Sequence, residues 1–146
     1  MQWLRFVVLG LVTVFVAAGC RTAPAAPPDP VQARLGEVFT LSGGQQAEIA
    51  DEGLRVTFDQ VLADSRCPSQ VDCAWTGEAR IAVLVQQGTT PPETVEFNTN
   101  PAPGQTNKVG TVGPYTVELT SLDPYPETPA DIPFPDYRAA LLVTKQ

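Results

Sequence analysis

Histidine is missing from all 146 residues, and the one methionine is Met1. Without imidazole there is no Ser-His or Cys-His nucleophilic site, no histidine-based zinc catalysis and no His-carboxylate iron triad. Removal of Met1 with an N-terminal leader would leave no thioether for a copper site either. Phosphate-loop, dinucleotide-binding and calcium-loop patterns are also lacking. No cofactor and no metal is expected. Basic residues are scarce, 9 against 16 acidic ones, so nucleic acid and anionic lipid are poor partners. Helical periodicity is absent after the first 20 residues.

What is present begins with an address. Arg5 opens a short positive region, and Phe6 to Ala18 is apolar apart from Gly10 and Thr13. That run is shorter than the roughly 20 residues that span a bilayer, so it reads as an export signal over 1–19. Val16-Ala17-Ala18-Gly19-Cys20 then places small residues before a cysteine, as a lipobox requires, although Ala17 stands where leucine is usual. Cys20 becomes the lipidated first residue, bearing diacylglycerol and palmitate-type acyl chains. A Pro/Ala-rich tether follows, assigned with Cys20 to residues 20–35. At about 3.1 Å per residue, 21–34 would reach roughly 40 Å from the lipid. Arg21 is not Asp, so in a two-membrane bacterium resemblance to lipoproteins favours the outer membrane. In a one-membrane bacterium the protein would face the exterior.

The mature chain keeps eight basic and all sixteen acidic residues, a formal charge of −8. The remaining 36–146 suffices for one compact core. With Cys20 committed to lipid, Cys67 and Cys73 are the only pair for a disulfide in an oxidising compartment.

Strand-like segments fall at about 37–41, 45–50, 53–62, 74–86, 93–99, 109–112, 114–123 and 137–144. Ala79, Ile81, Val83 and Val85 share one face, and Tyr137, Ala139, Leu141 and Val143 another. Ala and Leu on the opposite faces place both segments near a sheet centre or under partial cover. Leu54, Val56, Phe58 and Val61 match Tyr115, Val117, Leu119 and Leu122, each series stepping by two, two and three. The step of three breaks alternation and predicts a bulge or corner in both segments. Internal duplication, pseudo-symmetric sheets and chance all accommodate the match. The expected fold is all-β, a single antiparallel β-sandwich or small barrel of about eight short strands.

The most distinctive stretch runs from Asp64-Ser65-Arg66-Cys67-Pro68 through Cys73-Ala74-Trp75-Thr76-Gly77-Glu78-Ala79. It resembles a pattern in small secreted and lipid-anchored bacterial proteins of unknown function, and the resemblance extends over most of 36–145. It implies a β-rich domain and no known activity. Read physically, the motif is a reinforced strand connection. Asp64 and Ser65 bond loop amides, Pro68 limits the loop, Trp75 covers the disulfide, Arg66 pairs with Asp64 or Asp72, and Gly77 permits a bulge or close backbone approach. The alternative is a display loop with Arg66 exposed for an anionic group. A spacing of five between the cysteines argues against redox chemistry.

A second candidate is 123–136, whose five prolines bar it from a central strand. Tyr125 and Phe134 either tuck under the domain edge or arm a rigid partner-binding loop. Residues 100–108 read as a plain exposed loop. The leading expectation is a non-catalytic, lipid-anchored domain outside the cytoplasm, with an envelope or protein partner. An inhibitor of an exogenous hydrolase comes second. A small hydrolase using carboxylates such as Asp59, Asp64, Asp72 or Glu78 comes third.

Overall fold

The computed structural model describes residues 29–101 and 108–146. The signal at 1–19, Cys20 and the tether up to residue 28 lie outside the described residues, as do 102–107 of the expected loop.

Nine strands form among the described residues: β1 (Val31–Gln32), β2 (Val38–Ser42), β3 (Gln46–Ile49), β4 (Leu54–Asp64), β5 (Ala79–Gln87), β6 (Glu93–Asn98), β7 (Val109–Val112), β8 (Tyr115–Asp123) and β9 (Arg138–Lys145). They build the expected sandwich. One sheet runs β1-β3-β4-β5-β6 and the other β2-β9-β8-β7. All pairings are antiparallel except that of β1 with β3.

Alternation decides which side chains meet between the sheets. Val56, Phe58, Ile81, Val83, Val85 and Phe97 from one sheet face Leu41, Tyr115, Val117, Leu141 and Val143 from the other, all essentially shut from solvent. Both strands with apolar outer positions, β5 and β9, are interior members of their sheets, and Ala82 on the outer side of β5 is buried. The ladder slips between Phe58 and Gln60 in β4 and between Leu119 and Ser121 in β8, where the three-residue steps fall. Asp59 and Thr120 are the extra residues. The two matching segments also hold corresponding places, each the middle strand of a meander, β3-β4-β5 and β7-β8-β9.

Two boundaries differ from the sequence expectation. Val31–Gln32, drawn as tether, instead add beside β3, and Ala33 N–H donates to the Glu48 carbonyl at 3.0 Å. Val31, Ala33 and Leu35 pack against the core, so their alternating apolar side chains outweigh the proline-rich context before them. The segment expected at 74–86 becomes regular only at Ala79. Gly77 interrupts it at φ +67°, in the left-handed region.

The strand directions gather both distinctive segments at one end. β4 finishes at Asp64 and β5 starts at Ala79; β8 finishes at Asp123 and β9 starts at Arg138. The opposite end is closed by Glu52, whose carboxylate accepts from Lys145 Nζ at 2.7 Å and from the Tyr115 hydroxyl at 2.8 Å.

Candidate functional site

The 64–78 connection is held at close intervals by its own backbone. Ser65 N–H donates to the Glu78 carbonyl and Cys67 N–H to that of Thr76, both at 2.8 Å, extending the β4-β5 ladder irregularly past the sheet. The Ser65 hydroxyl adds a bond to the Glu78 carbonyl at 3.0 Å and accepts from Glu78 N–H at 3.3 Å. Gly77 is required by this approach, because a Cβ there would collide with the Ser65 carbonyl oxygen. From the connection that follows β6, Asn100 donates to Thr76 Oγ1 and to the Gly77 carbonyl, both at 3.0 Å. Asn100 was read as part of a plain loop, but it clamps the motif. Cys67 and Cys73 are joined, with Cα atoms 6.0 Å apart.

Arg66 is not displayed. It is 7% exposed, and its guanidinium grips Asp64 through Nε to Oδ1 at 2.9 Å and Nη2 to Oδ2 at 2.6 Å. Its remaining donors cross to the other sheet, Nη1 to the Leu122 carbonyl at 2.9 Å and Nη2 to that of Pro124 at 3.0 Å. Tyr137, read from sequence only as the inward residue of the last strand, completes the group by donating its hydroxyl to Asp64 Oδ2 at 2.9 Å. The signal that could have found it is a phenol on an inward position at a strand's first turn, where its polar tip needs a partner.

Burial works against ionisation of Asp64, but the bonds from Arg66 and Tyr137 outweigh it and hold the carboxyl below its ordinary value. Burial and donation to that carboxylate push Tyr137 up to about 12. Burial would lower Arg66, and its bonds to Asp64 reverse the direction. The result is a neutral, fully bonded staple between the sheets. Every buried side-chain nitrogen and oxygen among the described residues has a partner.

The staple joins two segments singled out separately. Ser69 N–H donates to the Pro126 carbonyl at 3.0 Å and Gln70 N–H to that of Glu127 at 3.1 Å. The 64–78 connection and the 123–136 loop thus form one unit. Phe134 tucks inward against Phe58, edge to face with centroids 5.3 Å apart. Tyr125 does not tuck in; it is 49% exposed, with one face over the Arg66 guanidinium at 5.2 Å. Trp75 is 79% exposed and shields no disulfide, and Cys73 beside it is exposed too. The expectation places the indole on a strand facing the bridge; β5 begins only at Ala79, beyond the left-handed Gly77, and leaves Trp75 on the connection, turned outward.

A cavity of about 450 Å³ opens beside the staple, walled by Pro68, Pro126, Pro129, Ile132 and Phe134. Of the four carboxylates considered for hydrolysis, only Asp64 lines it, already occupied by its four donors. Asp59 and Asp72 are exposed elsewhere, and Glu78 accepts from Asn98 at 2.7 Å. Among the described residues no group of three Cys, Asp or Glu is placed to hold a metal ion. No protein-family model, curated protein or solved structure matches the chain.

Proposed function

We propose that this is a non-catalytic binding domain, anchored outside the cytoplasm through lipid on Cys20, and that it meets a protein partner with the end carrying Trp75. The observation that carries this reading is an indole left 79% exposed on a connection that is immobilised from both sides. Large aromatics anchor protein interfaces because they bury much area while losing little rotamer freedom. Val71 and Tyr125 are exposed at the same end, so three of the five exposed large apolar side chains among the described residues gather there. Clamping the loop before binding removes much of the ordering cost that a flexible loop would incur.

The protruding, disulfide-closed loop also favours a second reading, an inhibitor that presents this loop to an exogenous hydrolase. Both readings use the same surface and differ in who supplies the partner. A photo-crosslinking side chain at position 75, with Glu93 at the other end as control, tests them in living cells. Adducts at 75 and none at 93 are expected in undisturbed cells. Adducts that appear only after a foreign secretion is added would favour the inhibitor, and none under either condition overturns the binding surface.

A further inference from the structure

The two interlocked segments hold an uneven share of the chain's charge. Residues 64–78 and 123–136 contain seven acidic residues and one basic residue, a balance of −6 against −7 for the whole chain. The single cation, Arg66, is buried and neutralised by Asp64. Asp72, Asp123, Glu127, Asp131 and Asp136 are exposed and form no salt bridge among the described residues. Even counting the cations that border this end, Lys108, Arg80 and Arg138, negative groups outnumber positive ones seven to four.

Resting on the binding reading above, we infer that the Trp75 end docks a positively charged polypeptide segment, its Arg or Lys side chains lying against the Trp75 and Tyr125 rings and toward Asp72 and Glu127. Charge selects among the occupants that an exposed aromatic end would otherwise accept. A second copy of the chain would bring −6 against −6. Nucleic acid and anionic headgroups are repelled in the same way. A cationic segment is attracted over distance by the carboxylates and held at contact by the ring faces, where an indole is the best platform for guanidinium or ammonium. The molecule already shows the arrangement once, internally: Arg66 sits between the Asp64 carboxylate and the Tyr125 ring. About half of Tyr125 and most of Trp75 are open to a second cation.

The test uses the mature chain from Cys20 onward, in which Trp75 is the only indole, titrated with two peptides of equal length. One alternates arginine and leucine, the other glutamate and leucine, and Trp75 emission reports binding. The arginine peptide is expected to shift that emission, to bind at least tenfold more weakly in 500 mM than in 50 mM salt, and to lose at least tenfold affinity when Tyr125→Ala or Asp72→Asn with Glu127→Gln is introduced. Glu93→Gln, at the opposite end of the sheet, should change nothing. Equal binding of both peptides, insensitivity to salt, or a response only to vesicles of phosphatidylethanolamine and phosphatidylglycerol would each overturn the inference. If position 75 still crosslinks to a protein in cells while the arginine peptide fails, the binding surface stands and its cationic preference falls. If position 75 crosslinks to nothing and the peptide fails, both fall.

Discussion

Arg66 makes five contacts of consequence: two to Asp64, two to carbonyls across the sandwich and one to the Tyr125 ring. Replacing it with Met preserves volume but leaves the Asp64 carboxylate buried without its cation, a loss expected to cost roughly 3 kcal/mol. Urea unfolding should show Asp64→Asn with Arg66→Met losing less than the sum of the two single changes, because the double variant strands no charge. Since Asp64 titrates below its ordinary value when folded, the stabilisation from its ionised form is present above about pH 4 and fades as the pH falls through the folded value. Tyr137 behaves in the opposite sense. Its folded pKa of about 12 lies above the ordinary value of 10, so its stabilisation is complete below pH 10 and is lost as pH climbs toward 12. Tyr137→Phe should cost about 1–2 kcal/mol at neutral pH and make alkaline unfolding between pH 10 and 12 shallower, as followed by circular dichroism.

The disulfide closes a small loop, so opening it with Cys67→Ser and Cys73→Ser should cost only about 2 kcal/mol on the chain-entropy model. Its larger effect should fall on Trp75, whose fluorescence anisotropy is expected to drop while the fold persists. Strand β1 offers a sharper test of an element boundary. Val31→Asp places a charge where the side chain packs against the core and should release β1, so that trypsin cuts at exposed Arg34 several times faster. Strands with strict alternation were legible from the sequence, as were the two irregularities, because a step of three in an apolar series breaks alternation and calls for a bulge or corner. β1 was not, since the short alternation of Val31, Ala33 and Leu35 follows directly on a proline-rich run that reads as tether. The Asp64–Arg66 pair was legible at short range. The docking of Arg66 on Leu122 and Pro124 was not, since the sheet topology alone brings residues 56 and 58 positions apart together. Trp75 was misplaced for a local reason: alternation ran smoothly back to residue 74, and only the left-handed turn at Gly77 reveals that the strand has already ended.

Across the described residues the two ends of the sandwich differ in character. One end is closed by the Glu52, Lys145 and Tyr115 cluster, and the other carries the exposed rings and most of the net charge. On the proposed anchoring, Cys20→Ala should move the protein from the membrane pellet to the soluble fraction of a lysate, and continued sedimentation with membranes would refute lipidation at that residue. The parallel pairing of β1 sets the end of the sandwich at which the chain enters. Following the chain backward from Val31 leads toward the end where β4 finishes, and the Gln45 side chain holds the Asp29 carbonyl on that side at 3.1 Å. If the anchoring proposal holds, a chain entering on that side would bring the aromatic end toward the bilayer. The gap between that end and the bilayer would then form a slot. Carboxylates facing anionic headgroups across that slot would keep the indole from sinking into the lipid, leaving the ring free for a partner that enters sideways.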